Sequence, residues 1–126
     1  LQQMCCLLES ISCLKQLESL TLGFSERPRN HSLFRTNYSG SVLKETSATL
    51  LSLPALRRCK MTIDFGVTIS QKDAHSFFTT FRYLNSLEKV TFWLGVMNRS
   101  VITLEELWQN YLSYLPKIRK ADIFYI

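Results

Sequence analysis

The residues best suited to catalysis in this chain are two histidines, His31 and His75. Nucleophilic catalysis needs a serine or cysteine within hydrogen-bond reach of a histidine, which a third group orients. Neither histidine has a recognisable companion of this kind, because His31 lies in a polar stretch and His75 lies in a segment of helical periodicity. The sequence therefore predicts no catalytic residues, and we expect the protein not to be an enzyme.

Phosphate and acid–base chemistry also lack a signature in the sequence. The 4 glycines are scattered, so there is no glycine-rich loop of the kind that holds a nucleotide phosphate. Glu105 and Glu106 are adjacent, but they open a predicted helix, where acidic side chains complement the positive end of the helix dipole. We therefore prefer a helix start to a carboxylate dyad, and we expect no cofactor.

Four cysteines raise the questions of metal binding and of compartment. Cys5, Cys6 and Cys13 crowd one apolar stretch, and Cys59 lies alone. An adjacent pair cannot form a zinc C-x-x-C knuckle and no second ligand pair follows, so we predict no metal site. Free cysteine behaves as a small hydrophobic residue. The pattern thus predicts buried, reduced thiols and an intracellular protein, with the cytoplasm as the expected compartment.

Three Asn-x-Ser triplets instead indicate a secreted protein. They begin at Asn30, Asn37 and Asn98, and such triplets accept glycans in secreted proteins. Short triplets of this kind often arise by chance, so we give the cysteine pattern more weight.

Length and composition indicate one folded domain. The chain has 126 residues, 46% of them apolar, which is enough to bury a core without disulfides. No apolar run approaches the roughly 18–20 residues that span a bilayer, so we expect no membrane span. The net charge of +5 permits an acidic partner without requiring one.

An internal repeat organises the chain. Four stretches align without gaps from Leu14, Leu53, Leu84 and Leu115, at intervals of 39, 31 and 31 residues. Each has apolar residues at its first, fourth, seventh, ninth and eleventh positions, and the last three of these alternate as in a β-strand.

Between these stretches the apolar spacing becomes helical. The predicted stripes are Met4, Leu7, Leu8 and Ile11; Ala74, Phe77, Phe78 and Phe81; Leu104, Leu107, Trp108 and Tyr111; and, less regularly, Leu43, Ala48, Leu50 and Leu51. Ser70 and Thr103 each stand three residues before an acidic residue, as in a capping box. We interpret all four stripes as core.

The pattern Leu-x-x-Leu-x-x-Leu-x-Leu resembles the leucine-rich repeat, most closely the long, helix-containing kind of ribonuclease-inhibitor-like proteins. The resemblance covers nearly the whole chain and implies an α/β, right-handed solenoid of four helix–strand units with a parallel sheet on its concave face. The expected units are about 1–24, 41–65, 72–94 and 103–126, with a long polar loop at 25–40. The family's Asn position holds Ser25, Asp64, Gly95 and Ile126, so the bend after each strand must be closed differently.

The two ends of the chain carry an expectation of their own. Leu1 lies inside an apolar periodic segment and Ile126 ends a strand-like run. We therefore expect a single segment of a longer chain, with further repeats or a partner covering its ends.

Residues between the inward positions of parallel, in-register strands form rows on the open face of the sheet. The rows read Ser19, Arg58, Lys89, Lys120; Thr21, Lys60, Thr91, Asp122; and Gly23, Thr62, Trp93, Phe124. The predicted partner-binding residues are Arg58, Lys60, Thr62, Lys89, Thr91, Trp93, Lys120, Asp122 and Phe124. We expect the rings of Trp93 and Phe124 to touch as binding anchors. The alternatives are that the chain itself covers these rings or that both point inward.

Two functions follow from this surface. The first is a non-enzymatic protein–protein interaction module or a scaffold subunit of a larger assembly, binding through the concave sheet face. The alternative is a nucleic-acid-associated protein in which Arg58, Lys60, Lys89 and Lys120 neutralise phosphates while nearby aromatic rings stack on bases. Few basic residues and no RNA-module signature favour the first. A third function, inhibition of a secreted hydrolase, would rest on fold analogy alone.

Overall fold

Helices and strands alternate along the chain in the computed structural model, which describes residues 2–25 and 38–126. The elements are α1 (Gln2–Ser12), β1 (Ser19–Ser25), α2 (Tyr38–Leu51), β2 (Arg58–Asp64), α3 (Gln71–Thr79), β3 (Lys89–Leu94), α4 (Leu104–Leu107) and β4 (Lys120–Tyr125). Further turns are a 3₁₀ turn at Thr80–Tyr83, another at Val96–Asn98 and a π-helical turn at Trp108–Leu112. Most of the predicted 25–40 loop lies outside the described residues, together with Asn30, His31 and Asn37.

The strands form one parallel sheet in the order β1-β2-β3-β4. Leu20 pairs with Cys59, Cys59 with Val90, and Val90 with Ala121, which are the seventh positions of the four aligned stretches. The sequence repeat therefore predicts the strand register residue for residue. Parallel neighbours require a crossover connection, and a helix lies before each strand. The predicted α/β architecture with a parallel sheet is confirmed.

Alternate side chains of the strands form the core with the helices. In β2 and β3 these side chains are at most 1% exposed: Cys59, Met61, Ile63, Val90, Phe92 and Leu94. Phe92 meets Phe78 and Phe81 edge to face, with ring centroids 5.4 Å apart in both pairs. Such pairs contribute about 0.5–1.5 kcal/mol each beyond the burial of apolar area. This aromatic cluster fixes α3 against the centre of the sheet.

Both predicted helix starts are confirmed. The Ser70 hydroxyl accepts a hydrogen bond from the backbone N–H of Asp73, and the Thr103 hydroxyl accepts one from that of Glu106, each at 3.1 Å. A side chain of this kind satisfies an N–H that the helix itself leaves unpaired, which is worth about 1 kcal/mol.

Helix α2 buries only part of the stripe that its sequence predicts, since Leu43 and Leu50 belong to the core. Ala48 and Leu51 are exposed, whereas Thr46 and Thr49 are buried. The Thr46 hydroxyl donates to the carbonyl of Val42 at 2.7 Å, and the Thr49 hydroxyl donates to the carbonyl four residues before it at 3.0 Å. A threonine bonded in this way leaves no unpaired polar group, so it packs like a small apolar residue. The prediction for Ala48 and Leu51 is therefore wrong.

The stripes of the first and last helices are only partly buried. Leu8 and Leu107 are buried, but Leu7, Leu104 and Trp108 are exposed. Helix α1 packs beside α2, and α4 contacts the turn that follows it and β4, so part of the apolar surface of each helix faces outward. The prediction that all of these side chains belong to the core is wrong for those three.

The bend after β2 is closed by a residue from the next unit. Asn98 is fully buried; its Oδ1 accepts from the backbone N–H of Phe65 at 3.0 Å, and its Nδ2 donates to the carbonyl of Val67 at 3.1 Å. Gly95 stands beside this bend, and a Cβ at that position would lie 2.9 Å from the Cα of Asp64. Glycine is therefore required by the close approach of two backbones.

Candidate binding face of the sheet

The predicted binding residues lie together on the sheet face opposite the helices, which we call the open face. The strand register places Arg58 beside Lys89 and Lys89 beside Lys120. Four residues further along the strands, the same register produces the row Thr62, Trp93 and Phe124, and the row between them is Lys60, Thr91 and Asp122. Neighbouring strands lie about 4.8 Å apart, so each row is a contiguous line of side chains.

Trp93 and Phe124 form the apolar part of the open face. Their ring centroids lie 4.6 Å apart in a stacked arrangement with 27° between the planes, which confirms the predicted contact. Trp93 remains 40% exposed and Phe124 remains 43% exposed, so neither ring points into the core. The stack is a preformed apolar surface of the kind that anchors protein interfaces.

Thr91 contributes little to this surface, since it is 4% exposed. It stands in register between Lys60 and Asp122, whose longer side chains reach further from the sheet. The Nζ atom of Lys120 lies 3.7 Å from Oδ2 of Asp122, so part of the positive charge on β4 is balanced within its own strand. The open face is therefore mixed in charge rather than uniformly basic.

A row of alternating charge, absent from the predicted site, borders the open face. It consists of Glu18, Arg57, Glu88 and Arg119, each immediately before a strand, and we call it the charge row. Nη1 of Arg57 lies 3.1 Å from Oε1 of Glu18, while its Nε donates to Oε2 of Glu88. Nη1 of Arg119 lies 3.9 Å from Oε1 of Glu88. Reading the fifth position of the four aligned stretches would have found this alternation.

The backbone holds the charge row in line. The N–H groups of Arg57 and Arg58 both donate to the carbonyl of Glu18, at 2.8 and 2.9 Å. The same pair of bonds recurs one strand further on, from Glu88 and Lys89 to the carbonyl of Arg57, and again one strand beyond that. Each charged side chain is thereby placed beside one of opposite sign.

The electrostatics of the charge row follow from these contacts. The hydrogen bond from Arg57 lowers the pKa of the Glu88 carboxyl, and the two flanking glutamates raise the pKa of Arg57. Both groups therefore stay ionised at neutral pH. Exposed ion pairs contribute little to stability. We therefore interpret the charge row mainly as a determinant of which strands lie next to each other in the sheet.

A shallow groove of about 350 Å³ crosses the starts of β2, β3 and β4. Its lining residues are Arg57, Arg58, Glu88, Lys89, Arg119 and Lys120. An acidic group could bind here by charge. However, Arg57, Arg119 and Lys120 already have a carboxylate within 4.0 Å, which reduces the attraction that the groove offers to phosphate.

His75, one of the two histidines considered for catalysis, contacts a tyrosine. Its Nδ1 lies 2.9 Å from the hydroxyl oxygen of Tyr111, and the Arg82 guanidinium lies 5.4 Å from the centre of the Tyr111 ring. Burial raises the pKa of Tyr111, so this hydroxyl stays protonated at neutral pH. The contacts join α3 to the turn after α4. Within residues 2–25 and 38–126, no three His, Cys, Asp or Glu side chains are placed to hold a metal ion.

The four cysteines occupy three different environments. Cys59 is buried, Cys5 is half-buried, and Cys6 and Cys13 are exposed, so the prediction of buried thiols is wrong for the last two. None of the four is paired in a disulfide. Burial raises the pKa of Cys59 to about 12, which keeps its thiol protonated and unreactive at neutral pH.

Comparisons with known proteins identify no relative of this chain. No family model matches the chain, and neither a curated protein nor a solved structure matches it. Among the helices of the described part of the chain, none combines the length and the hydrophobicity needed to cross a membrane.

Proposed function

We propose that this protein is a non-enzymatic interaction module, a solenoid of the leucine-rich-repeat kind that binds a protein partner through the open face of its sheet. Strand order that follows chain order supports this, because stacked helix–strand units place each strand beside the one before it. A right-handed, curved solenoid would make the open face concave. A scaffold subunit of a larger assembly is the setting that suits such a surface.

The observation that carries the proposal is the exposed stack of Trp93 and Phe124. Polar groups border it, including Thr62 in the same row and Asp122 on β4. Lys89 lies four residues before Trp93 on the same strand, which corresponds to about 13 Å of extended chain. A fitting partner therefore presents an apolar side chain to the stack and an acidic group about 13 Å away.

Site-directed photo-crosslinking tests which face binds. A benzoylphenylalanine at Thr62 lies on the open face, while the same residue at the exposed Ala48 of α2 is the matched control. In an extract of the source cells we expect the Thr62 position to crosslink a defined protein and the Ala48 position not to do so. Equal labelling from both positions, or no competition by the unmodified chain, would count against the open face.

The purified partner then allows a quantitative test. We expect Trp93→Ala to weaken binding by about 2 kcal/mol or more, the scale of an interface hot spot. Its free energy of unfolding should fall by only about 1 kcal/mol, through loss of the aromatic stack. Tyr114→Ala removes an aromatic ring that is 76% exposed, more than the 40% of Trp93, and lies away from the sheet; this change should leave binding unchanged. A variant that loses stability but not affinity would make Trp93 a structural residue.

The alternative function is nucleic-acid association through Arg58, Lys60, Lys89 and Lys120. The basic groove is the observation that favours it. Titration of a single-stranded oligonucleotide at two salt concentrations separates the two functions. About three phosphate contacts would make log K fall with log salt at a slope of about −2. No measurable binding at low salt would remove this alternative.

We also propose that the protein is intracellular, with the cytoplasm as the expected compartment. Four unpaired cysteines, two of them exposed, support a reducing environment. The Asn98 side chain is buried and hydrogen-bonded, so it is not accessible to a glycan in the folded protein. Localisation of a tagged, full-length protein by microscopy tests this, and a glycosylated, secreted product would contradict it.

A further inference from the structure

The charge row ends in opposite charges at the two edges of the sheet. Arg57, inside the row, is held by carboxylates on both sides, whereas Arg119 is 82% exposed and, among the side chains that the structure describes, meets only Glu88, at 3.9 Å. At the other edge, Glu18 meets only Arg57 among the described residues and is 56% exposed. One edge of the sheet therefore presents a guanidinium and the other presents a carboxylate at the same position of the repeat.

The inward side chains of β4 are less buried than the side chains in register with them on β3. Val90 and Phe92 of β3 are fully buried, but the residues in register with them, Ala121 and Ile123, are only half-buried. Beside β4 lies a depression of about 610 Å³, lined by Leu104, Glu105, Trp108, Arg119, Lys120 and Ala121. The β4 edge therefore exposes both an apolar surface and the guanidinium of Arg119, and a further helix–strand unit could contact both.

We propose that the two edges bind each other, so that β4 of one copy pairs in parallel with β1 of a second copy. Glu18 of the second copy then lies beside Arg119 of the first, and the alternation of the charge row continues across the junction. In this register Leu20 and Leu22 of the second copy extend the inward rows of Ala121 and Ile123.

Two further features fit this register. Phe124 faces Gly23 of the second copy, which has no side chain to obstruct the stacked rings. Helix α1 of the second copy comes to lie beside α4, because neighbouring helices follow the order of the strands. Its exposed Leu7 then approaches the exposed Leu104 and Trp108. The same operation applies again at each outer edge of the described sheet, so the assembly is head-to-tail and open-ended rather than a closed dimer.

Sedimentation velocity on the 126-residue chain, from low micromolar to submillimolar concentration, tests the proposal. The wild-type chain should show mass that grows with concentration and shrinks as salt is raised, because the junction contains an exposed ion pair. Arg119→Glu and Glu18→Arg each place like charges at the junction. Each variant alone should raise the apparent dissociation constant at least about tenfold.

An equimolar mixture of the two variants is the decisive sample. The introduced carboxylate of one variant meets the introduced guanidinium of the other, so the mixture should associate more tightly than either variant alone. Lys72→Glu and Glu45→Arg make the same charge changes at exposed helix positions and should associate like the wild type. Far-UV circular dichroism checks that every variant is folded.

Three results would overturn the proposal: a wild-type chain that stays monomeric at every concentration, single variants that associate as strongly as the wild type, or a mixture that stays monomeric. If either charge reversal prevents folding, Arg119→Gln and Glu18→Gln remove the attraction without adding repulsion. These variants should still weaken association several-fold, and unchanged association would reject the pairing.

Discussion

Removal of the Asn98 side chain tests how the repeats are joined. In Asn98→Ala, the buried N–H of Phe65 loses its acceptor and the carbonyl of Val67 loses its donor. A buried hydrogen bond contributes about 1 kcal/mol net, and an unsatisfied buried donor costs about 1–3 kcal/mol. Phe65 is buried and Val67 is only half-buried, so water can reach the carbonyl but not the N–H. We expect the free energy of unfolding to fall by about 3 kcal/mol.

Urea unfolding followed by the fluorescence of Trp93 and Trp108 measures this loss. With a denaturant slope of about 1.5 kcal/mol per molar, the midpoint should move down by about 2 M. Ser100→Ala is the matched control, because it removes the same Asn-x-Ser triplet at an exposed position and leaves Asn98 in place. It should change stability by less than about 0.5 kcal/mol.

Asn98→Asp separates the two hydrogen bonds. The carboxylate still accepts from the N–H of Phe65, but it faces the carbonyl of Val67 with an oxygen instead of an N–H donor. Two acceptors repel, so this variant should be destabilised at neutral pH and should recover in part when the carboxyl is protonated. The reasoning is refuted if Asn98→Ala unfolds within about 0.5 kcal/mol of the wild type.

Two further predictions concern close packing around the strands. Maleimide should modify the exposed Cys6 and Cys13 in the folded protein but Cys59 only after unfolding, as read by mass spectrometry. Since burial raises the pKa of Cys59 from 9.0 to about 12, the unfolded thiol ionises first as pH rises. Between pH 9.0 and about pH 12, the free energy of unfolding of the wild type should therefore fall relative to that of Cys59→Ala by about 1.4 kcal/mol per pH unit. If the two proteins lose stability equally over this pH range, the pKa shift is contradicted. Gly95→Ala should cost about 1–3 kcal/mol in chemical unfolding, because its Cβ would meet the backbone of Asp64. Gly23→Ala, whose Cβ meets only Thr62 at 3.9 Å, should cost less than Gly95→Ala, and equal losses would reject the steric reason.

The interior of this fold was predictable because the same spacing of apolar residues recurs in all four units and specifies the inward face of each strand. Side chains on a strand alternate, so a slip of one residue between β2 and β3 would turn Met61 and Phe92 to the open face. The repeat has the same apolar spacing in both strands, so it predicts the inward residues of each strand separately and thereby their register. The predicted contact between Trp93 and Phe124 followed from register alone, without knowledge of either side chain's surroundings.

The errors arose where burial depends on neighbours rather than on residue type. Thr46 and Thr49 look polar in sequence, yet a bond to the preceding turn satisfies each hydroxyl and the methyl group packs. Leu7 and Trp108 look like core, yet they belong to the outermost helices of the described structure. Asn98 looked like a glycan acceptor because the triplet says nothing about which backbone groups, 31 and 33 residues earlier, need a partner.

The charge row shows why a repeat carries information beyond its leucines. Apolar positions are nearly interchangeable between units, so they specify that strands pair but not which strands pair. Glu18, Arg57, Glu88 and Arg119 alternate in sign, so an exchange of β2 and β3 would place Glu88 beside Glu18 and Arg57 beside Arg119. An exposed pair adds little stability, but like charges at contact oppose a mismatched neighbour. The same discrimination would act at the outer edges of the described sheet, where a carboxylate would suit a strand beside β4 and a cation would suit a strand beside β1.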